Sequence, residues 1–397
     1  MKNSHTLVIG GGAAGITAAI GARRKGVPVV ICERMPKVGK KVLASGNGRC
    51  NLSNENLDES GYNRSARNLV KSVFTRYGKE EILNFFKDLG LETYSEGGRV
   101  FPATNQSSSV LKVLEMELAR LGIVTELNFE VDKISHSAGI FSVKSKSGKS
   151  MECGKLIIAG GGKSYPALGS DGSCYELAHR LGHKIIEPVP AAVPLVVKDK
   201  LCHLLQGQKI FAKVKAVIDG KDVCESRGDL LFTKYGLSGT SIIDVSEEIS
   251  VAINRHKKNN VFISIDMVPF MDAGVLENEI AKRVERALPA EELIVGILPN
   301  KFGPALKEHL DKDDTEDIAM SLKNRLFKVL GTRGWNEAEF TSGGVDTKEV
   351  NELTLESKLV KNLYFAGEAL DVCGKRGGYN LAWAWASGLT AGEAAFS

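Results

Sequence analysis

The feature that most constrains the fold is a glycine-rich turn between the first apolar strand and the first helix. Residues 5–9 are predicted to form the strand, and GGGAAG at residues 10–15 opens an alanine-rich helix. A second apolar strand, residues 28–32, ends on Glu33. A GxGxxG pattern alone is weak, but its place after a strand, at a helix start and upstream of an acid predicts a dinucleotide-binding βαβ unit.

The glycines and the acid have distinct expected roles in such a unit. Gly10 permits the tight turn, Gly12 lets the backbone approach a pyrophosphate at the helix N-terminus, and Gly15 lets helix and strand pack closely. Glu33 would accept hydrogen bonds from an adenosine ribose. The alternative is an ordinary strand-to-helix turn with a surface glutamate, and the pattern alone does not identify the dinucleotide.

Composition narrows the class of protein. The length of 397 residues suggests two or three domains, and 43% hydrophobic with 25% charged residues is typical of a globular protein. No apolar run approaches the roughly 18 residues of a membrane span, and there is no signal-peptide pattern, so we expect a cytoplasmic protein without a membrane partner. Seven cysteines without a CxxC pair argue against disulfides and a zinc site, and no metal is expected. The net charge of +4 permits anionic partners without requiring them.

The pattern changes near residue 194 and returns towards the C-terminus. Alternating strands after residue 194 predict a β-rich unit, and charged amphipathic helices are predicted over residues 272–330. The segment 362–368 resumes the apolar strand followed by glycine, and residues 377–380 open a last helix. The chain is therefore predicted to leave its nucleotide-binding domain and to return and complete it.

Motif blocks along nearly the whole chain resemble one bacterial family of FAD-dependent flavoproteins. That family contains the bile-acid-operon flavoprotein, the ribosomal-RNA dihydrouridine synthase and aminoacetone oxidase. The matching blocks are GGGAAG (10–15), GKK (39–41) with GNGRCN (46–51), GRVFP (98–102), GGKSYP (161–166), LFTKYGLSG (231–239), SGGV (342–345), and GEALD (367–371) with GGYN (377–380). Several blocks in the same order make chance similarity implausible.

The resemblance implies an α/β fold with a glutathione-reductase-like Rossmann FAD domain, interrupted by a β-barrel insert that carries a small helical subdomain. It also implies that FAD is tightly and non-covalently bound. The expected domains are residues 1–193 for the first part of the FAD domain, 194–270 for the β-barrel insert, 271–330 for the helical subdomain, 331–341 for the return to the barrel, and 342–397 for the second part of the FAD domain.

By the same resemblance, both ends of the chain contribute to the FAD site. Gly367 and Glu368 are expected near the ribityl chain and the phosphates, and the helix opened by Gly378 is expected to aim its amides at the flavin N1/O2 edge. The loop at 46–51 is the expected floor of the isoalloxazine pocket, because its glycines allow close backbone approach. The expected cofactor-binding residues are Gly10, Gly12, Ala13, Ala14, Gly15, Glu33, Arg34, Lys41, Gly46, Gly48, Arg49, Cys50, Asn51, Val131, Ala159, Gly160, Gly161, Tyr165, Gly367, Glu368, Gly378, Tyr379, Asn380 and Leu381.

Cys50, Arg49 and Tyr379 are the candidate catalytic residues. Cys50 has two interpretations. As a functional thiol it would protonate one carbon while flavin hydride attacks its neighbour; otherwise it is a small buried side chain beside the cofactor, as free cysteines usually are.

The predicted function is that of an FAD-dependent oxidoreductase. NAD(P)H would bind transiently and reduce the flavin, and hydride would then pass to an electron-poor C=C bond of a small-molecule substrate. Two alternatives stay open: reduction of a uridine in ribosomal RNA, with which the basic residues Lys282, Arg283 and Arg286 are compatible, and oxidation of an amine by O2. The sequence identifies neither the substrate nor the oligomeric state.

Overall fold

The computed structural model describes residues 5–396. Two compact units divide the chain: one comprises the segment up to Pro188 and the segment from Phe340 onwards, and the other is Val189–Glu339. The first contains a five-stranded parallel sheet and the second a closed six-stranded barrel. The predicted α/β class, with a Rossmann-type sheet and a β-barrel, is confirmed.

Strands and helices are numbered in chain order. The strands are β1 (Thr6–Ile9), β2 (Val29–Cys32), β3 (Ser53–Asn54), β4 (Thr93–Glu96), β5 (Arg99–Pro102), β6 (Val124–Glu126), β7 (Val131–Ser137), β8 (Ile140–Ser145), β9 (Ser150–Cys153), β10 (Lys155–Ile158), β11 (Ile185–Ala191), β12 (Leu195–Val197), β13 (Lys209–Ile218), β14 (Lys221–Thr233), β15 (Gly236–Ser238), β16 (Val261–Asp266), β17 (Arg325–Thr332), β18 (Phe340–Val345) and β19 (Leu363–Phe365). The α-helices are α1 (Ala13–Arg24), α2 (Lys40–Ala44), α3 (Arg67–Arg76), α4 (Lys79–Asp88), α5 (Ser107–Arg120), α6 (Ser173–Arg180), α7 (Lys200–Leu204), α8 (Thr240–Ser250), α9 (Ala273–Glu285), α10 (Phe302–Leu310), α11 (Thr315–Lys323) and α12 (Tyr379–Ala394).

The parallel sheet sets the position of the glycine turns. Its strand order is β19-β10-β1-β2-β6, so the chain that returns after the insert supplies the edge strand beside β10. Ile9 pairs with Cys32 on one side and with Ile158 on the other. Because parallel strands end at the same edge, the segments that follow β1, β2, β10 and β19 meet there, which is where open α/β sheets bind ligands.

Helices α1 and α12 pack with their backbones in contact. A Cβ placed on Gly388 would lie 2.1 Å from Thr17 Oγ1 and 2.4 Å from the Ala14 carbonyl oxygen, and one on Gly392 would lie 2.1 Å from the Ala18 carbonyl oxygen. Only glycine fits at these two positions. This contact fixes the last helix of the chain against the first.

The barrel of the second unit has the strand order β12-β15-β14-β13-β16-β17. Alternate side chains of β13 are buried, as expected for a strand with one face in a core. Helices α9, α10 and α11 lie between β16 and β17 in the chain. None of the helices within residues 5–396 is both long enough and apolar enough to cross a bilayer.

One predicted boundary in this unit is wrong. Residues 271–330 were expected to be helical, with the return to the barrel at 331–341, but β17 begins at Arg325. Phe327 and Val329 are buried while Leu326 and Leu330 are exposed, which is the alternation of a strand. The leucines and lysines favour a helix by propensity, and pairing with β16 and β12 overrides that weak local preference.

Candidate functional site

In the first glycine turn, one glycine has room for a side chain and two others have none. A Cβ on Gly15 would lie 1.8 Å from the Gly10 carbonyl oxygen, and one on Gly10 would lie 2.5 Å from the Ala159 carbonyl oxygen. A Cβ on Gly12 would meet no atom within 4 Å. Gly10 and Gly15 are therefore required by the packing of the chain itself, whereas Gly12 borders unfilled space.

The N-terminus of α1 opens onto that space. Gly12 is its N-cap, and no side chain of the described residues caps it. The amides of Ala13 and Ala14 belong to the first turn, where N–H groups lack partners within a helix and the helix dipole favours negative charge. A Cβ on Gly367 would lie 2.7 Å from the Ala14 Cβ, so the C-terminal glycine motif adjoins the same turn.

Glu33 lies at the end of β2 beside the turn and is only 8% exposed. Its Oε2 accepts a hydrogen bond from the Gly11 amide at 2.6 Å, and its Oε1 accepts one from the Met35 amide at 2.7 Å. Burial raises the pKa of this carboxyl, although the two backbone amides act in the opposite direction. A carboxylate has about four lone-pair positions, so Glu33 can accept further donors from a ligand.

Arg34 follows the end of β2, and Val131 is the first residue of β7. The Arg34 guanidinium forms ion pairs with Glu130 at 2.7 Å and with Asp171 at 2.5 Å. Glu130 directly precedes Val131, which is buried at the start of β7. Arg34 therefore connects the chain after β2 to two other segments, one before β7 and one before α6.

The loop after β10 forms the next part of the site. A Cβ on Gly10 would lie 2.9 Å from Gly160 Cα, so the turns after β1 and β10 are in contact at Ala159 and Gly160. Gly161 has φ +78°, and Tyr165 has φ +53° with 38% of its surface exposed. The structure thus brings this predicted loop to the first glycine turn, with Tyr165 at its outer part.

Glu368 and Lys41, both predicted to bind the cofactor, bind each other. Lys41 Nζ donates to Glu368 Oε2 at 2.9 Å and to Ser164 Oγ at 2.8 Å. Glu368 also accepts from the Gly162 amide at 3.2 Å and from the Thr341 amide at 2.8 Å. The carboxylate therefore connects its own segment, after β19, with the three segments that carry Lys41, Gly162 and Thr341.

The loop from Gly46 to Asn51 has an unusual backbone. Asn47 and Cys50 have φ of +54° and +59°, and Gly46 and Gly48 are also in the positive-φ region. A left-handed conformation costs a non-glycine residue on the order of 1 kcal/mol or more. Such strain often marks a functional loop.

Cys50 is completely buried in this loop. Burial raises the pKa of its thiol to about 12, with a smaller opposing effect of a hydrogen bond involving Ser45. At pH 7 the side chain is thus a protonated, uncharged thiol, and it gives up its proton only with difficulty. Its environment favours the interpretation as a buried side chain over that as a proton donor.

With the predicted flavin-dependent reduction as the readout, we expect the Cys50→Ala variant to keep its rate within about threefold of the wild type, because the thiol is a poor acid in this environment. The measurement is single-turnover reoxidation of reduced enzyme by substrate. Arg49→Lys serves as a comparison in the same loop. A drop of a hundredfold or more in Cys50→Ala alone, with normal flavin content, would instead assign the proton to Cys50.

The Arg49 side chain contacts the hairpin of β4 and β5. Its guanidinium donates to Tyr94 Oη and Glu96 Oε2, both at 2.7 Å, and lies 4.0 Å from the centre of the Phe101 ring. It also donates to Asn105 Oδ1 at 2.9 Å. These contacts hold the loop of Arg49 to the hairpin and occupy its guanidinium group.

Glycine is required at the N-terminus of α12. Gly378 has φ +105°, and a Cβ on it would lie 2.2 Å from the Ser53 carbonyl oxygen and 2.9 Å from Asn51 Oδ1. No side chain of the described residues caps this helix. The first amides of α12, those of Tyr379, Asn380 and Leu381, therefore lie beside the Asn51 loop.

The side chains of Tyr379 and Asn380 serve the local fold. Tyr379 Oη donates to the Asn56 carbonyl oxygen at 2.9 Å, and burial raises the pKa of its phenol. Asn380 Oδ1 accepts from the Gly374 amide, while its Nδ2 donates to the Gly374 carbonyl oxygen. Both side chains thus make contacts within the local fold, and the first-turn amides of α12 have no partner within the helix.

Several residues of the site were not predicted. Gly11 and Met35 hold Glu33, while Ser164 and Thr341 hold the Lys41–Glu368 pair. Thr341 directly precedes the SGGV block and Ser164 lies within GGKSYP, so both stand next to recognisable motifs. No cluster of three or more His, Cys, Asp or Glu side chains suited to a metal ion is found within residues 5–396.

The chain matches a known family over almost its whole length. The model of the HI0933-like protein Rossmann domain matches residues 4–394. The 3-dehydro-bile acid delta(4,6)-reductase of Clostridium scindens is 38% identical over 403 residues, which cover 98% of each chain. The ribosomal RNA dihydrouridine synthase of Haemophilus influenzae is 30% identical, covering 97% of this chain and 96% of that protein.

A solved structure shares the fold. The 3-ketosteroid delta1-dehydrogenase from Sterolibacterium denitrificans, in complex with 1,4-androstadiene-3,17-dione, aligns over 100% of both chains with a TM-score of 0.53. Its sequence is 12% identical, so the similarity describes the architecture alone.

Proposed function

This chain belongs to the HI0933-like family of FAD Rossmann-domain proteins, and from that membership we propose that it is a reductase that carries hydride from NAD(P)H to an electron-poor C=C bond. The oxidoreductase class agrees with a full-length relative, 38% identical, that is named a reductase. The single structural observation that carries the proposal is the joining of both terminal glycine motifs at one sheet edge, with Gly367 against the first turn of α1.

The residues at this edge fit an FAD molecule. The space over Gly12 and the uncapped N-terminus of α1 suit a pyrophosphate, since backbone amides and the helix dipole favour an anion there. Glu33 offers a buried carboxylate for the adenosine ribose. The uncapped α12 would supply backbone amides for the flavin, close to the Gly46–Asn51 loop.

When bound, FAD would supply the acceptor and donor of a hydride, and the chain would set its orientation and electrostatics. The first amides of α12 and the positive end of its dipole would stabilise negative charge on the reduced cofactor. The Lys41–Glu368 pair would hold Gly367 and Gly162 in place. Arg49 would fix the loop that is expected to line the flavin site.

For the substrate we propose a C=C bond conjugated to a carbonyl group, as in the enone of a 3-oxo steroid acid. Conjugation makes one carbon electron-poor, so it accepts hydride, and a proton then completes the neighbouring carbon. The balance is NAD(P)H plus a proton plus the C=C bond giving NAD(P)⁺ and the saturated product. The name of the Clostridium scindens relative supports this class of substrate.

A second candidate is reduction of uridine in ribosomal RNA. The relatives named ribosomal RNA dihydrouridine synthase, at 30% and 29% identity, favour it. The uracil C5=C6 bond is likewise conjugated to a carbonyl group, so the same hydride delivery would serve. The two candidates differ in what must reach the flavin, a free small molecule or a base within an RNA chain.

The test is anaerobic stopped-flow mixing of the FAD-loaded protein with NADH or NADPH. We expect the flavin absorbance near 450 nm to bleach with one of them, and the bleached enzyme to be reoxidised by a conjugated 3-oxo steroid, with matched saturated 3-oxo steroid as the control. Reoxidation by uridine-containing rRNA alone would favour the second candidate. Persistent flavin colour with both nucleotides would refute the NAD(P)H reductase, and rapid reoxidation by O2 with an amine as reductant would favour an oxidase.

A further inference from the structure

Asn51 carries a buried polar atom without a partner. Its side-chain Oδ1 is shielded from solvent and accepts no hydrogen bond from any of residues 5–396. A buried acceptor without a donor costs about 1–3 kcal/mol, so native proteins rarely keep one unless something else supplies the donor.

The unpartnered oxygen lies at the N-terminus of α12. Asn51 Oδ1 is 2.9 Å from the position that a Cβ on Gly378 would take. The hydroxyl of Ser53, two residues further on, is also fully buried and without a partner in the described chain. A hydrogen-bond acceptor thus stands directly beside the amide donors of the first turn of α12.

The backbone before Asn51 holds it in this place. Gly46 folds back so that a Cβ on it would lie 3.0 Å from the Asn51 amide nitrogen. The positive φ of Cys50 sets the direction of the next residue, and the Leu52 amide then donates to the Val100 carbonyl oxygen at 2.8 Å. A strained loop on one side and a strand contact on the other leave Asn51 little freedom.

The arrangement of an acceptor next to donors matches one edge of the flavin ring system. The pyrimidine edge presents the O2 acceptor and, next to it, the N3–H donor. Helix amides would face O2, and a neighbouring acceptor would face N3–H. We propose that Asn51 Oδ1 accepts a hydrogen bond from flavin N3–H and so makes the site selective for a flavin whose N3 carries hydrogen. This inference rests on the proposed function, because it takes the α12 side as the flavin end.

The experiment compares the affinity of the apo protein for FAD and for N3-methyl-FAD by quenching of flavin fluorescence. We expect the wild type to prefer FAD by at least tenfold, and Asn51→Leu to reduce that preference to threefold or less, because leucine has a similar size and no acceptor. Asn51→Asp keeps an acceptor oxygen and should keep the preference. Asn68→Leu, a change at an exposed site on α3, is the control and should match the wild type.

Each outcome separates the hydrogen bond from its alternatives. If Asn51→Leu keeps the wild-type preference, exclusion of the methyl group is steric and the proposal is overturned. If Asn51→Asp loses the preference as Asn51→Leu does, an acceptor oxygen at this position does not produce the discrimination, and the proposal is also overturned. A wild type that binds no FAD contradicts the proposed function itself, whereas a wild type that binds FAD without discrimination contradicts only this inference.

Discussion

Replacing Gly12 with valine is expected to weaken FAD binding at least a hundredfold while the apo protein stays folded. The reason is that a side chain at Gly12 meets no atom of the chain within 4 Å, yet projects into the space over the N-terminus of α1. A pyrophosphate in that space would have to move away from the helix amides. A hundredfold loss corresponds to about 2.7 kcal/mol, the scale of a few charge-assisted hydrogen bonds. Flavin fluorescence titration and thermal unfolding of the apo protein measure the two effects.

The controls separate loss of the ligand from loss of the fold. Gly274→Val makes the same change at an exposed position of α9 that also has no atom within 4 Å, and FAD binding should be unchanged. Gly15→Ala should lower both stability and FAD affinity, because its Cβ would lie 1.8 Å from the Gly10 carbonyl oxygen. FAD bound at wild-type affinity by Gly12→Val would mean that the pyrophosphate does not lie over Gly12.

The sequence predicts well those features of the site that depend on local backbone geometry. The turn at Gly10 and Gly15 needs glycine because of backbone atoms a few residues away or on adjoining strands, and the pattern of strand, turn and helix signals this directly. The position of Glu33 is likewise predictable, because it directly follows the last residue of an apolar strand. The left-handed conformation of Cys50 leaves no such signal, because cysteine has no preference for it.

Other parts of the site depend on contacts between distant segments. Lys41 and Glu368 are 327 positions apart, and each was expected to contact the cofactor because each lies in a motif block that resembles one flavoprotein family. The structure shows that the two side chains form an ion pair, which no sequence pattern indicates, and their contact with the cofactor stays a prediction. Likewise, β17 is a strand because β16 and β12 pair with it, although the Arg, Lys and Leu residues within 325–332 favour a helix by local propensity.

The Glu368 carboxylate accepts several hydrogen bonds, one of them from Lys41. Its Oε2 accepts from Lys41 and from the Gly162 amide, and its Oε1 accepts from the Thr341 amide. The side chains of Glu368 and Lys41 are 16% and 29% exposed, so water screens the pair only in part. Glu368 also follows Gly367, whose amide donates to Ser387 Oγ at 2.9 Å and whose carbonyl accepts from Trp383 Nε1 at 3.0 Å.

Glu368→Ala is therefore expected to lower the free energy of unfolding by about 3 kcal/mol, because it leaves two backbone amides and an ammonium group without their acceptor. Glu368→Gln keeps an acceptor for one amide and should cost about half as much. Both variants should bind FAD more weakly, since the corner at Gly367 loses its support. Urea unfolding of the apo protein measures the first effect and fluorescence titration the second.

A double-mutant cycle isolates the ion pair from the rest. Lys41→Met removes the ammonium group and keeps an unbranched side chain, so the cycle with Glu368→Gln measures the coupling between the two groups. We expect about 1–2 kcal/mol, above the value of an exposed pair, because both side chains are largely buried and Ser164 fixes the lysine. Additive effects, with no coupling beyond about 0.3 kcal/mol, would show that Glu368 acts through the Gly162 and Thr341 amides alone. In that case Lys41 would be free to bind the cofactor phosphates, and Lys41→Met would weaken FAD binding as strongly in the Glu368→Gln background as in the wild type.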